Sequence, residues 1–378
     1  MGRDAVGLQG LKGLWISLKT FDFQRLSRQC SHEFYEIGAV SMIKMNGALA
    51  AILLMTACSG NPWFTGDGSS ATDLPGTTAP SASKSITRYE PTSGGETGDG
   101  YAKDFTRNID GSYTVDNLPF DADNTYTASA TQPAGGTFPY TVYEAAGTVL
   151  DPQTGVPISQ LQHRLLAGVS TSGRTEFAIV RTGSYANYGF GGFVMKRAGG
   201  VKLPNDAQAT YTGNYAGLRD FNGFSGLEFT KGVMTVDIDL RDFNVGSAVK
   251  GTLTDRHIYD INGNEITAAE IAALNAKYNP DGRDPSPMTV LPDVQFYIGP
   301  GTIDGNGEMQ GNLGSNINDY RGPGPGYSQL AFETGKYYAL VSGDAADEIV
   351  GIIVIKSESA RVDGATVRET GGFLLYRP

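Results

Sequence analysis

From residue 207 to the end of the chain, apolar residues recur at every second position in short runs broken by glycine-rich turns. In 233–241, Met234, Val236, Ile238 and Leu240 fall on one face, and Thr235, Asp237, Asp239 and Arg241 on the other. Val294, Phe296 and Ile298 alternate in the same way with Asp293, Gln295 and Tyr297. Successive side chains of a strand point to opposite faces, so this period specifies strands that bury one side. The run 347–356 is apolar on both faces and reads as a central strand under cover. Further strands are expected at 209–215, 248–254, 307–313, 336–342 and 372–377. About eight or nine antiparallel strands result, a number that suits closure into a barrel. One helix interrupts them: Thr267-Ala-Ala-Glu270 reads as a capping box, followed by Ile271, Leu274 and Tyr278 at helical spacing. The chain has 51 Gly in 378 residues without a Gly-X-Y period, so the glycines serve turns and not a collagen helix.

Residues 101–204 form a second, smaller β-region. In 105–115, Asp110-Gly111 supplies the positive φ angles of a hairpin turn. Strands are expected at 140–143, 175–181 and 188–196. Before them, 58–100 is rich in Gly, Ser, Thr, Pro and Asp and lacks the apolar surface to offset its ordering entropy, so it reads as a flexible tether.

The segment 42–58 carries an address. Lys44 gives a positive start, and 47–57 is an apolar run about half as long as a bilayer span requires, which fits a signal h-region. It ends in Leu54-Met55-Thr56-Ala57-Cys58, which resembles a bacterial lipobox. That resemblance implies that 42–57 is a signal peptide, that the Cys58 sulfur carries diacylglycerol, and that Ser59 in the following position directs the product to the outer membrane. Residues 1–41 precede a normal signal start, and a translation start read too far upstream accounts for them most simply. Processing before Cys58 leaves a single, lipidated Cys, so the folded part must be held by its core and not by disulfides. Several acyl chains give a stable anchor, at about 0.8 kcal/mol per buried methylene.

Four segments lie in order behind the tether: 209–217 (Ala-Thr-Tyr-Thr-Gly-Asn-Tyr-Ala-Gly), 232–239 (Gly-Val-Met-Thr-Val-Asp-Ile-Asp), 343–351 (Gly-Asp-Ala-Ala-Asp-Glu-Ile-Val-Gly) and 371–376 (Gly-Gly-Phe-Leu-Leu-Tyr). With the lipobox, they make 205–378 similar to the barrel domain of the transferrin-binding-protein-B-like lipoproteins, with Asp347 standing where that family has a Glu. The resemblance implies an all-β protein: a soluble antiparallel eight-stranded β-barrel with the helix inserted between its strands, preceded by a handle-like β-domain at 101–204. It also implies an outer-membrane or surface lipoprotein concerned with ligand binding and iron acquisition. The full-size relatives have two lobes and this chain has room for one. No loop here matches a binding motif of the family, so the ligand-binding residues stay unassigned.

The residue inventory argues against catalysis. His163 and His257 follow the signal segment, no Gly-x-Ser-x-Gly elbow occurs, and each His reads as an ordinary strand-end residue. The loops 260–265 and 304–308 place oxygens at alternate positions, as a hard cation would want, yet Asn-Gly turns explain both, so no metal and no cofactor is expected. The sequence 322–327 (Gly-Pro-Gly-Pro-Gly-Tyr) lacks the Lys of a phosphate loop and reads as a surface turn. A formal net charge of −11 argues against nucleic acid. The expected partner is an iron- or haem-carrying protein of the host or environment, or an outer-membrane receptor; the alternative is an envelope lipoprotein with an assembly role and no ligand capture. If Cys58 is acylated, metabolic labelling with a palmitate analogue will mark the protein and Cys58→Ser will abolish the label. Equal labelling of the two forms would contradict the assignment.

Overall fold

The computed structural model describes residues 74–92, 100–118, 121, 124–145, 150–156, 163–183, 188–205, 207–241, 248–297 and 303–378. The signal segment, the lipobox with Cys58, and the first part of the expected tether lie outside the described residues. The later part of that tether contains a strand, β1 (Ile86–Tyr89), so the stretch 58–100 is not tether throughout. The reason is that Ile86 is fully buried and every residue of β1 pairs with the last strand of the first sheet.

That first sheet has eight antiparallel strands. They are β1, β2 (Asp104–Arg107), β3 (Tyr113–Asp116), β4 (Thr125–Ala128), β5 (Thr141–Ala145), β6 (Arg164–Val169), β7 (Thr175–Arg181) and β8 (Gly191–Arg197). The spatial order is β1-β8-β7-β6-β5-β4-β3-β2. Gly111, at φ +85°, makes the β2–β3 turn, but Asp110 does not share its positive φ as expected; its carboxylate accepts the Ser112 N–H at 3.0 Å instead. The sheet curls almost to closure, because Gly100 bridges Gly191 and the Tyr101 N–H donates to the Gly191 carbonyl at 2.8 Å. Its concave face buries Phe105, Tyr113, Val115, Tyr126, Leu165 and Val180.

The second sheet is a closed barrel. Its strands are β9 (Gln208–Phe221), β10 (Phe224–Asp239), β11 (Val249–Tyr259), β12 (Val294–Phe296), β13 (Glu308–Asp319), β14 (Ser328–Ser342), β15 (Glu348–Glu358) and β16 (Thr366–Tyr376). They pair in sequence order, and β16 returns to β9. One helix, α1 (Thr267–Tyr278), sits between β11 and β12. It is not capped as its sequence suggested. The Thr267 hydroxyl accepts the Ile258 N–H at 2.9 Å, and Glu270 turns into the barrel.

The interior of the barrel is filled by aromatic rings laid over cross-strand glycines. Tyr337 lies opposite Gly311, and Phe373 opposite Gly351; a Cβ on either glycine would lie under 3.0 Å from the ring. Phe296 covers Gly251 in the same way and stacks on Tyr337 at 3.8 Å. A small barrel cannot hold a large side chain on every inward position, so large and small residues alternate.

The outer face of β9, β14, β15 and β16 packs against the convex face of the first sheet through Phe177, Ile179, Phe193, Leu218, Ile352 and Leu374, among others. This cover makes β15 apolar on both sides. Gly372 leaves the space for the Phe177 ring, since a Cβ there would come within 2.3 Å of it. Buried charge flanks this apolar contact. Arg181 meets Glu90 at 2.9 Å and donates to the Thr370 hydroxyl at 2.7 Å, and Arg368 grips Asp220 at 2.6 and 3.1 Å. Arg88 holds Glu308 at 2.7 and 2.9 Å. Gly372→Ala should destabilise the protein by about 1–3 kcal/mol through overpacking against Phe177. Urea denaturation checks this, with Gly324→Ala, where nothing lies within 4 Å, as the neutral control.

Candidate functional site

The end of the barrel that carries α1 is built differently from the rest of the wall. A β-bulge in β11 sets its geometry. Lys231 pairs with His257 and Val233 with Thr254, so two β11 residues face the single residue Gly232. Asp255 takes up the extra length at φ +50°. The bulge reverses the parity of the strand: Leu253 and Arg256 both point inward, while Asp255 and His257 point outward.

Arg256 thereby joins a charged cluster that fills the barrel beneath α1. It holds Glu333 through two contacts of 2.8 Å and reaches Glu369 at 3.0 Å. Arg219 pairs with Glu228 at 2.9 Å and with Glu270 of α1 at 3.1 Å. Arg361, from the β15–β16 connection, closes over Glu228 and Glu270. Hydroxyls complete the shells: Tyr215 donates to Glu369 at 2.6 Å and Ser315 to Glu333 at 2.6 Å. Burial pushes the Glu369 carboxyl up, but Arg256 and Arg219 outweigh it and hold the group below its ordinary value. Glu270 is depressed for the same reason, burial being outweighed by Arg219 and Arg361. The cluster seals the barrel and ties the helix to it.

Outside this seal, two recesses flank the segment 289–293. One, of 780 Å³, lies between Thr254–His257 and α1 and includes Glu265 and Ile271. The other, of 700 Å³, lies between α1, the segment 286–293 and β13 residues Asn316, Ile317 and Asn318. Val290, which lines both, is 70% exposed. Leu274, Leu291, Ile317 and Phe332 form an apolar floor under α1. His257 stands at the edge of the first recess. One ring nitrogen meets Glu265 at 2.7 Å and the other Asp255 at 3.2 Å. The hydrogen bond with His257 holds Glu265 below its ordinary value against some desolvation. Carboxylates on both nitrogens fix the orientation of the ring.

The other residues weighed from sequence lie elsewhere. His163 is buried in the first sheet, edge-on to Tyr126 at 6.4 Å. Asp260 accepts the N–H groups of Asn262 and Asn264, and Asp304 those of Asn306 and Glu308, so both acidic loops use their oxygens as turn acceptors. The turn 322–327 caps the β13–β14 hairpin, and Arg283 donates to the Gly322 carbonyl at 2.8 Å. The Arg–Glu cluster and the segment around Val290 were not legible as a site. Their sequence signals are Pro287 and Pro292 on either side of an exposed Val, and charges at positions that become inward only once the bulge is located.

No family model and no curated protein matches the sequence. Among solved structures, the chain is similar to a transferrin-binding protein B from Haemophilus parasuis, with a TM-score of 0.33 and 11% identity over 72% of this chain and 44% of that one. It is also similar to the isotype 1 transferrin-binding protein B of serogroup B Neisseria meningitidis, with a TM-score of 0.29 and 13% identity over 62% and 35% of the two chains. A structure described as a surface lipoprotein gives a TM-score of 0.28 and 12% identity over 56% of this chain and 80% of that one. The chain spans less than half the length of these two transferrin-binding proteins. A curled sheet leading into a closed eight-stranded barrel is the architecture that the resemblance of the sequence implied.

The depressed carboxylates give the acid response its sign. Their stabilisation is complete above the ordinary value of 4.5 and is lost as pH falls through the lower folded values. Glu90 has the opposite sign, because burial raises it, so its penalty disappears on acidification. Glu369→Gln should cost about 3–5 kcal/mol at pH 7 by leaving Arg256 and Arg219 undercompensated, and should flatten the loss of stability below pH 4.5. Urea denaturation of both forms at neutral and acid pH measures this.

Proposed function

We propose that the chain is a lipid-anchored envelope protein of the outer membrane whose work is recognition, carried out at the α1 end of the barrel. One observation carries the reading. The interior of the barrel is filled by its own rings and by the Arg–Glu cluster, while outside that seal Val290 stands exposed between two recesses. A ligand has no lumen to occupy, and Phe224 and Tyr327, at the β9–β10 and β13–β14 turns of the same end, add to the exposed apolar surface that Val290 offers there. The lipobox-like 54–58 supports the anchor, with Cys58 as the acylated residue. Among the described residues no helix is long and apolar enough to cross a membrane. The paired nitrogens of His257 support binding over hydrolysis. The resemblance of the sequence suggests an iron- or haem-carrying protein as partner, and the solved structures of similar architecture include proteins named for transferrin.

The test is direct binding. Immobilised protein is exposed to purified transferrin and haemoglobin, and haem is titrated separately. The expected result is saturable capture of one of these, weakened at least about tenfold by Val290→Asp. No binding of any of the three, together with cross-linking to an outer-membrane protein that Val290→Asp leaves unchanged, would replace this reading with the assembly role.

A further inference from the structure

The barrel wall has a gap beside β13. β12 pairs with β13 only through Gln295↔Gly314 and Phe296↔Leu313, and the Tyr297 N–H then donates to the Asn312 carbonyl at 2.8 Å. That bond fixes the parity of the edge: even-numbered residues of β13 turn their backbone groups away from β14. The far end agrees, since the Tyr320 N–H donates to the Tyr278 carbonyl at 2.8 Å. Between these two anchors, Asn316 and Asn318 direct N–H and C=O into the 700 Å³ recess. Among the described residues, no backbone group meets theirs across it. Extending β12 by its own register would bring Asp293 opposite Asn316. No such bond forms, and Pro292 bars the strand from continuing, because it lacks the N–H that the ladder to β11 would need next and its ring fixes φ. The chain leaves the wall there, and the edge stays open.

An unpaired edge of this kind is a template for another strand. We infer, building on the reading that this end of the barrel is the recognition site, that the recess takes an extended peptide segment of the partner protein as an added strand on β13. The backbone of Asn316 and Asn318 selects an extended chain, since a helix has no N–H or C=O to offer sideways. In such a strand the residue opposite Ile317 points inward, onto the apolar floor of Leu274 and Leu291, and its two neighbours point outward. Asp284 and Asp293 line the recess, and neither forms an ion pair with a cation of the chain among the described residues. Basic residues beside an apolar one are therefore the matching pattern.

The probe is a capped, fluorescent heptapeptide of alternating lysine and valine, titrated by anisotropy against the full-length chain. Its valines take the inward position, so its lysine nitrogens face β13. Methylating the backbone nitrogens of the central lysines should weaken binding by at least about tenfold, and methylating those of the central valines by much less. Asn318→Pro removes the N–H that faces the recess, at an edge position where proline is tolerated, and should abolish binding with the unfolding midpoint held. Should that variant fail to fold, the two methylated peptides on the native protein still decide. No saturable binding, or equal losses from the two methylation patterns, overturns strand addition. If transferrin, haemoglobin or haem is nevertheless captured in a Val290-dependent way, the recognition reading stands and only its mode is wrong.

Discussion

The pairing of β16 with β9 closes the barrel, and the rest of the molecule depends on that seam. Charge crosses it twice at adjacent positions. Glu369 lies opposite Arg219 on the inner face, and Arg368 opposite Asp220 on the outer face. The inner pair belongs to the cluster that seals the barrel and holds α1. The outer pair belongs to the network that joins the barrel to the first sheet through Arg181 and Glu90. Buried ion pairs add little net stability compared with apolar packing, but losing one partner is expensive. A slipped register at this seam would strand charges on both faces at once, so the pairs specify one alignment of the two strands.

Closure also limits the surfaces open to the proposed recognition. With Tyr215, Tyr337, Phe296 and Phe373 filling one half of the barrel and three arginines with four glutamates the other, the inside is occupied. One side of the outside is covered by the first sheet. The wall is thin only where β12 shrinks to three residues, next to α1. There the recesses, the exposed Val290 and the open edge of β13 come together, above the Arg–Glu cluster that ties α1 to the barrel.

Much of the barrel could be read from the chain, because period-2 alternation survives wherever one face is buried. Strand β7 appears at the residues expected, and the cover over β15 follows from its two apolar faces. What could not be read has a physical cause in each case. Strand ends ran long, as in β9 and β14, because residues such as Arg219 and Glu333 look like surface yet point into the barrel. The bulge at Asp255 shifts the parity of β11 without any change in composition. β1 was hidden in a polar stretch, since one buried Ile and four ladder pairs suffice to place it. The capping box failed because Thr267 and Glu270 found stronger partners, Ile258 and two arginines. Val290 carried no signal beyond the flanking Pro287 and Pro292, as an exposed Val matters only once its neighbours in space are known.

The most direct test of this account is a disulfide across the seam. Thr212 and Tyr376 are opposite each other on β9 and β16, on the outer face. Opposed residues of antiparallel strands lie about 4.5–5.5 Å apart, within reach of a disulfide. With the two native cysteines replaced, Thr212→Cys with Tyr376→Cys should oxidise completely to the intramolecular disulfide and raise the unfolding midpoint. Two free thiols in a protein that still shows full β-structure by circular dichroism would mean an open sheet, and would contradict the sealed barrel on which the account rests.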